Sequence, residues 1–263
     1  MNFIDLGLSS KTIQAIEEFG IKEPTTVQSD VIPSILQGKD VFTIAPQRCG
    51  KTTSYVFPLI DIIDAENSGK KNILIITPDS EQSVVVSDRL AIFNKYHEIN
   101  EATIKDKDED IDNEANVIIG SPDLLIELIN EKRIDLAKIN ILIVDDINLI
   151  KKNKQLSNLE KILELLPAEK QNIVYTNRRS KETQDILDKI LKAPQEIKVN
   201  KDKEQEISQA PVEQKKKASS ATKSRKFNET EDKEALALMK KYNSFNGKTP
   251  RFLLNAGVIV ANE

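Results

Sequence analysis

The stretch that decides the fold is Val41-Phe42-Thr43-Ile44-Ala45-Pro46-Gln47-Arg48-Cys49-Gly50-Lys51-Thr52. Its first four residues are apolar or β-branched, which favours a short buried strand. Residues 50–65 follow with the apolar spacing of a helix. A strand, a loop and a helix N-terminus in this order form a phosphate-binding loop, because backbone N–H groups and the helix dipole then face the anion.

The Gly50-Lys51-Thr52 core of this loop matches the nucleotide-binding pattern. In that pattern the lysine reaches the β- and γ-phosphates, and the threonine hydroxyl binds Mg²⁺. Ala45 stands where the general pattern has its first glycine, and the alternative is an ordinary strand-to-helix turn with an exposed lysine. We predict a nucleotide site whose loop residues are Ala45, Pro46, Gln47, Arg48, Cys49, Gly50, Lys51, Thr52 and Thr53.

Outward from this loop, short Ile- and Val-rich runs alternate with amphipathic stretches as far as residue 199. Five further runs have the length and β-branching of buried strands: residues 73–77, 117–120, 141–144, 173–176 and 196–199. Helix start signals stand between them, at Ser9, Thr25, Gly50, Ser121-Pro122 and Ser180. Repeated strand–helix–strand units imply right-handed crossovers. We therefore predict a three-layer α/β fold, a parallel sheet with helices on both faces.

Composition excludes several function classes. The 263 residues include one cysteine, Cys49, and one histidine, His97, which excludes a disulfide framework and zinc sites built from cysteines or paired histidines. The net charge of −4 excludes a uniformly basic nucleic-acid coat but allows local basic patches. Because no apolar run reaches the roughly 18 residues of a membrane span and the N-terminus lacks a basic start, we expect a cytoplasmic protein with no membrane partner.

Two carboxylates follow the predicted strand 141–144. Asp145 and Asp146 stand at its carboxyl end, where ligands bind in open parallel sheets. In this position Asp145 is suited to hold Mg²⁺, mostly through water, and Asp146 to orient an attacking water. The alternative is a carboxylate that caps the following helix.

Several weak signals occur in one order along residues 3–199. The N-terminal part carries Phe3, Gly7-Leu8-Ser9, Ile16, Gly20, Pro24-Thr25, Gln28, Ile32-Pro33 and Gly38-Lys39-Asp40. The phosphate loop, Pro78, Ser121-Pro122 and Val144-Asp145-Asp146-Ile147-Asn148 follow it. Together these residues resemble the first RecA-like domain of the DEAD-box RNA helicases, including the Q motif of that family.

The resemblance implies an ATP-dependent RNA helicase or ATPase and assigns roles by position. Phe3 stacks on the adenine and Gln28 hydrogen-bonds to the adenine edge; the alternative for these two is a packed aromatic and a surface amide. The resemblance also implies the catalytic residues Lys51, Asp145 and Asp146, the Mg²⁺ ligands Thr52 and Asp145, the cofactors ATP and Mg²⁺, and RNA as the partner.

Departures from the family pattern lower the expected rate of hydrolysis. Arg48 replaces a glycine two residues before Gly50, where a positive φ would strain it; the alternative is that it adds charge near the phosphates. Asp146 replaces the family glutamate and is one methylene shorter, and a displacement of about 1 Å can slow a reaction about 100-fold. Ile147 and Asn148 replace the next two letters of this motif. Thr176-Asn177-Arg178 stands in place of the Ser-Ala-Thr motif that couples hydrolysis to unwinding.

Other departures concern RNA. Residues 78–82 read Pro-Asp-Ser-Glu-Gln where the family has Pro-Thr-Arg-Glu-Leu, and residues 121–124 read Ser-Pro-Asp-Leu where it has Thr-Pro-Gly-Arg. Both segments lose an arginine. Residues 101–116, at the position of a Gly-Gly RNA contact in the family, hold seven acidic and two basic residues. Since phosphate neutralisation supplies most non-specific affinity, we expect weak RNA binding by this domain.

The chain changes character after residue 199. We predict an ATP-binding domain over residues 1–199, a disordered basic linker over 200–229, and a short segment over 230–263 with room for one helix. Residues 207–227 hold six basic residues and one acidic residue, and the cations between Lys215 and Lys226 are either an RNA contact or a solvated linker. The second RecA-like domain of the family, with its arginine fingers, is not recognisable. Hydrolysis is therefore expected to be weak or to depend on a protein partner that supplies that domain.

Three functions remain open from the sequence. The first is a DEAD-box-like protein that binds ATP and RNA, with weak or partner-dependent hydrolysis. The second is a non-catalytic adaptor, a degenerate helicase half that binds RNA or a ribonucleoprotein through its basic tail. The third, a small-molecule kinase, is disfavoured because no lid or substrate site is recognisable.

Overall fold

The computed structural model describes residues 2–65, 72–108, 111–112 and 115–199. Seven strands form its sheet: β1 (Val41–Ile44), β2 (Asn72–Ile76), β3 (Glu101–Thr103), β4 (Val117–Gly120), β5 (Ile139–Val144), β6 (Gln171–Thr176) and β7 (Gln195–Lys198). Their order across the sheet is β3-β4-β2-β5-β6-β1-β7. Every pairing between these strands is parallel, so each connection crosses over the sheet.

The described part of the chain contains eight α-helices: α1 (Ser10–Glu18), α2 (Thr26–Leu36), α3 (Lys51–Asp64), α4 (Ser80–Phe93), α5 (Pro122–Asn130), α6 (Ile147–Lys152), α7 (Leu156–Leu165) and α8 (Lys181–Ile190). A 3-10 helix, Phe3–Leu6, precedes them. Side-chain caps explain where two of them begin. Thr25 and Gln28 form a capping box at α2, and the Asp79 carboxylate accepts from the Gln82 N–H at 2.9 Å at α4.

Residues of the central strands alternate between two hydrophobic cores, one on each face of the sheet. In β2, Ile73 and Ile75 are buried in the first core, whereas Leu74 and Ile76 are buried in the second. The first core lies under α1–α4 and contains the largest fully buried side chains: Tyr55, Tyr175, Phe57 and Phe93. The second lies under α5–α8. Burial on both faces explains why these strands read as continuous apolar runs.

The predicted α/β fold is confirmed, and helices begin within one residue of all five predicted start signals. Four elements of the structure, β3, α4, α6 and α7, are not predicted from the sequence. β3 lies inside the acidic stretch 101–116, whose charge hides its two buried residues, Ala102 and Thr103. The linker and the C-terminal segment predicted over 200–263 lie outside the described residues. Within the described part of the chain, no helix is long and apolar enough to cross a membrane.

All strands point the same way, so the loops that follow them meet at one edge of the sheet, the carboxyl edge. Along this edge the loops follow the strand order: residue 121 after β4, 78 after β2, 145 after β5, 177 after β6 and 45 after β1. The segments that carry the predicted nucleotide and RNA motifs therefore lie side by side. In open parallel sheets this edge is where ligands bind.

Candidate functional site

The phosphate loop turns tightly between β1 and α3. Gly50 has a φ of 87°, and a Cβ at this position would lie 2.9 Å from Oγ1 of Thr25, closer than real side chains approach. Arg48 is exposed and has a φ of 65°. A left-handed conformation costs a residue with a side chain about 1–2 kcal/mol. The loop thus holds a strained arginine where the family pattern has glycine.

Two side chains near the N-terminus brace this loop. The Thr25 hydroxyl donates to the Cys49 carbonyl at 3.0 Å. The Gln28 amide donates to Oγ1 of Thr53 at 2.7 Å, and its oxygen accepts from the Thr25 N–H at 2.8 Å. The Thr53 hydroxyl in turn donates to the Gly50 carbonyl at 3.1 Å. Gln28 thereby connects α2 to the first turn of α3.

Lys51 extends from the first turn of α3 toward the loop that follows β5. Its Nζ lies 3.4 Å from Oδ2 of Asp146 and 3.5 Å from the Ala45 carbonyl. The side chains of Lys51 and Asp146 are only 11% and 5% exposed. The sheet thus brings a cation from the phosphate loop to the carboxylates after β5, across the strand that separates β1 from β5.

Asp146 holds an unusual backbone and side-chain position. It precedes α6 with a φ of 62°, and no hydrogen bond from its side chain caps that helix. The helix-cap alternative therefore does not describe its side chain. Its Oδ1 is buried and has no hydrogen-bond partner among the described residues. A buried carboxylate oxygen without a donor is costly, so this atom is suited to accept from a bound ligand or water.

Two hydrogen bonds fix the Asp145 carboxylate from the interior of the domain. The phenol of Tyr55 donates to its Oδ2 at 3.0 Å, and the Gln82 amide donates to the same oxygen at 3.4 Å. Burial raises the pKa of Asp145, while the nearby Lys51 charge and the Tyr55 hydrogen bond act against that rise. The carboxylate is therefore held in the interior at the expense of its solvation.

Asn148 ties the loop after β5 to the loop after β6. Its Nδ2 donates to Oγ1 of Thr176 at 2.7 Å, to Oδ1 of Asn177 at 3.1 Å and to the Arg178 carbonyl at 2.7 Å. The Thr176 hydroxyl also donates to the Arg178 carbonyl, at 2.8 Å. These hydrogen bonds connect the two loops directly.

The structure places both Phe3 and Gln28 in the interior. Phe3 lies in the first core, 4% exposed, with its ring edge-on to Phe57 at 5.8 Å between centroids. The packed-aromatic alternative describes Phe3 in this structure, since its buried ring offers almost no surface to a base. Gln28 is also buried, and both ends of its amide already have protein partners. It is therefore not the surface amide of the alternative.

The RNA-motif segments after β2 and β4 carry no basic side chain over residues 78–82 and 121–124. The Ser121 hydroxyl donates to Oδ1 of Asp123 at 2.6 Å. In the acidic stretch, Glu101 is partly buried against Ser87, and burial raises its pKa. Lys107 forms an ion pair with Glu127 at 2.8 Å, so its charge is already balanced.

The residues near the phosphate loop fit Mg²⁺ bound together with phosphate. Among the described residues, no group of three or more His, Cys, Asp or Glu side chains could hold a metal alone. The free Oδ1 of Asp146 and the Asp145 carboxylate supply hard oxygen donors. Thr52 directly follows Lys51 in the first turn of α3. Mg²⁺ commonly uses one or two carboxylates and completes its shell with water and substrate phosphate.

The parallel sheet, the phosphate loop and the paired carboxylates at its carboxyl edge define a RecA-like α/β domain. The family model for the DEAD/DEAH box helicases matches residues 25–186. The chain belongs to the DEAD/DEAH box helicase family.

Known relatives agree with this assignment. The chain is similar to the DEAD-box ATP-dependent RNA helicase CshA of Bacillus cereus, with 26% identity over 219 residues that cover 81% of this chain and 41% of that protein. It is similar to the RNA helicase CrhR of Synechocystis, with 27% identity over 201 residues, 73% of this chain and 40% of that protein. The chain therefore spans about two fifths of the length of the curated relatives it matches.

Two solved structures show the same architecture. A DEAD box protein from the hyperthermophile Methanococcus jannaschii superimposes with a TM-score of 0.70 and 25% identity, over 76% of this chain and 56% of that one. A hypothetical ATP-dependent RNA helicase from Sulfolobus tokodaii gives a TM-score of 0.65 and 25% identity, over 73% of this chain and 57% of that one.

Two side chains of the site, Tyr55 and Gln82, are not predicted from the sequence. Tyr55 stands four residues after Lys51, one turn along α3, and that spacing places both on one side of the helix. This spacing is a sequence signal from which Tyr55 can be predicted to lie near Lys51. Gln82 lies in the first turn of α4 and reaches Asp145 only because β2 and β5 are neighbours. Strand order is not readable from the local sequence.

Proposed function

We propose that this domain binds ATP with Mg²⁺ and contacts RNA, with ATP hydrolysis that is weak or depends on a partner. The approach of Lys51 to Asp146, at 3.4 Å across the carboxyl edge, carries the proposal. Lys51 stands at a helix N-terminus, is only 11% exposed and pairs with Asp146, so it is placed to exchange that carboxylate for phosphate oxygens. The family relationship supports the same nucleotide.

Thr52 and Asp145 are the proposed residues that hold Mg²⁺, with Asp146 beside them. The bound ion neutralises phosphate charge during phosphoryl transfer. The protein then contributes Lys51 to bind phosphate and Asp146 to orient the attacking water. The shorter reach of Asp146 supports slow hydrolysis. An arginine from a second RecA-like domain, supplied by a partner, would stabilise the transition-state charge.

Isothermal titration calorimetry with ATP and MgCl₂ tests nucleotide binding. Lys51→Ala is expected to weaken ATP binding about 100-fold, since a charge-assisted hydrogen bond to phosphate is lost. Lys22→Ala, which removes an exposed lysine between α1 and α2, serves as the control and should bind ATP like the wild type. Absence of ATP binding in the wild type, or equal affinities in the three proteins, contradicts the proposal.

RNA contact is proposed to depend on the basic segment 207–227 more than on the domain described above. The segment has a net charge of +5 from six basic residues and one acidic residue, whereas the motif segments after β2 and β4 lack cations. Fluorescence anisotropy with single-stranded RNA tests this. Replacing the six basic residues with glutamine should abolish binding at physiological salt. A variant with the same composition in shuffled order should keep it; unchanged, salt-insensitive binding after the replacement contradicts the proposal.

A second candidate is a non-catalytic adaptor that binds RNA or a ribonucleoprotein. Asp146 favours it, because the residue is shorter than the family glutamate and already forms an ion pair with Lys51. A single-turnover hydrolysis assay at saturating ATP and RNA separates the two functions. Product formation no faster than in Lys51→Ala identifies the adaptor, whereas a Lys51-dependent rate identifies the ATPase.

A further inference from the structure

Two buried tyrosines lie behind Asp145. The rings of Tyr55 on α3 and Tyr175 on β6 are 5.4 Å apart, and both side chains are fully buried. Their phenols have different partners. The Tyr55 phenol donates to Oδ2 of Asp145 at 3.0 Å, whereas the Tyr175 phenol shares a hydrogen bond of 2.8 Å with the Ser54 hydroxyl. One phenol of the pair thus contacts the proposed metal-binding carboxylate, and the other does not.

The donors to Asp145 all act on one of its two oxygens. Tyr55 and Gln82 both donate to Oδ2, and within the described part of the chain no side chain donates to Oδ1. The Tyr55 ring is fully buried, and its phenol donates to this Oδ2 from the interior.

We infer that Tyr55, with Gln82 as a weaker second donor, is a positioning residue that fixes Asp145 and so sets the Mg²⁺ affinity of the site. The inference rests on the proposed binding of ATP with Mg²⁺. Tyr55 holds Oδ2 from the interior, and among the described residues no side chain donates to Oδ1, so Asp145 would keep this oxygen for the metal site. Because its phenol donates to Asp145, Tyr55 fixes the position of that carboxylate. Outer hydrogen bonds of this kind change metal affinity about 10- to 100-fold in other proteins.

The substitution Tyr55→Phe removes a single oxygen and keeps the buried ring. In the full chain, ATP binding is titrated with MgCl₂, and ATP affinity is measured separately in EDTA. The Mg²⁺ concentration for half-maximal enhancement of ATP binding should rise about tenfold in Tyr55→Phe. Affinity in EDTA should stay at the wild-type value, which a general loss of structure would not allow. The matched control Tyr175→Phe removes the phenol that bonds Ser54, and its Mg²⁺ midpoint should equal that of the wild type.

Gln82→Met gives a second, independent measurement, because Gln82 is only partly buried and its loss does not disturb the core. Its midpoint should rise less than that of Tyr55→Phe, since its hydrogen bond is longer, at 3.4 Å. A wild-type midpoint in both Tyr55→Phe and Gln82→Met overturns the inference, as do equal shifts in Tyr55→Phe and Tyr175→Phe. If Tyr55→Phe does not fold, the Gln82→Met midpoint alone decides. Failure of the wild type to bind ATP overturns the proposed function itself.

Discussion

The carboxyl edge of the sheet has two halves that differ in chemistry. The nucleotide half comprises the loops after β1, β5 and β6, and the nucleic-acid half comprises the loops after β2 and β4. In the nucleotide half a buried lysine faces two carboxylates, and hydrogen bonds from Tyr55, Gln28 and Asn148 fix the surrounding loops. In the nucleic-acid half the segments 78–82 and 121–124 carry acidic side chains and no cation.

The difference teaches that one sheet edge can carry a lysine with carboxylates at some strand ends, and only neutral and acidic side chains at others. Both halves are built on the same sheet, with the same strand direction and the same two cores. Only side chains at the strand ends distinguish them, which is the general relation between fold and function. The halves still touch, because the Asn153 amide donates to the Pro78 carbonyl at 2.9 Å and Gln82 reaches Asp145.

The largest expected effect concerns the ion pair between Lys51 and Asp146 in the nucleotide half. Lys51→Ala leaves the Asp146 carboxylate buried without its cation, and loss of one partner of a buried pair lowers the free energy of unfolding by about 3 kcal/mol. Adding Asp146→Asn removes the unpaired charge, so the double variant should regain most of that stability but no ATP affinity. Urea unfolding followed by circular dichroism measures both. Equal stability of wild type and Lys51→Ala would mean that solvent screens this pair.

The next effect concerns hydrolysis in the same half. Asp146→Glu restores the carboxylate reach of the family, and the single-turnover rate of ATP hydrolysis should rise by up to about 100-fold. ATP affinity should change little, because Lys51 and the loop are untouched. Asp145→Glu is the control: its extra methylene crowds the contact with Tyr55, and the rate should not rise. An unchanged rate in Asp146→Glu assigns the slow step to another departure, such as Arg48.

Much of this molecule was predictable from sequence, for identifiable reasons. Strands that are buried on both faces read as Ile- and Val-rich runs, and helix starts are marked by local signals such as Thr25 and Ser121-Pro122. The phosphate loop and the carboxylates after β5 are local patterns as well. Their meeting, with Lys51 at 3.4 Å from Asp146, follows from parallel strands whose loops share one edge.

What escaped prediction depends on contacts distant in sequence. Phe3 matches the family position, yet its ring lies in the core because Phe57 of α3 stands beside it. Local sequence does not report that neighbour. The Tyr55–Asp145 and Gln82–Asp145 hydrogen bonds join residues 90 and 63 positions apart. β3 has three residues and begins with a charged one, so its pairing with β4, rather than its own composition, makes it a strand.

A smaller effect tests the nucleic-acid half. Ser80→Arg returns a cation to the turn after β2, where the family has arginine. One added phosphate contact should steepen the slope of log affinity against log salt concentration by about 0.7 for single-stranded RNA. Ser157→Arg, which adds the same charge at an exposed position on α7, should leave the slope at the wild-type value. Identical slopes for the two variants would show that this turn does not face RNA. The loops after β2 and β4 would then not form a nucleic-acid half.

The smallest effect concerns Glu101, at the start of the acidic stretch. Its pKa lies above the ordinary 4.5, mainly because burial disfavours the charged form, and the Ser87 hydrogen bond opposes the shift only in part. Lys105 also lowers this pKa, and Asp88 raises it. The folded state therefore binds the proton more tightly than the unfolded state. The wild type should lose stability as pH rises from about 4.5 through the folded pKa, and change no further above it.

Glu101→Gln removes this titration, so its stability relative to the wild type should increase over that pH window, as urea unfolding at successive pH values can measure. RNA affinity should not change, because the Glu101 carboxylate faces Ser87 and its Oε2 is buried. The exposed Asp106 is the matched case for RNA: Asp106→Asn should raise RNA affinity slightly at low salt. If Glu101→Gln instead strengthens RNA binding as much as Asp106→Asn, the Glu101 carboxylate repels RNA from where it lies. The repulsion of RNA by the acidic stretch 101–116 would then begin at β3 itself rather than in the loop that follows it.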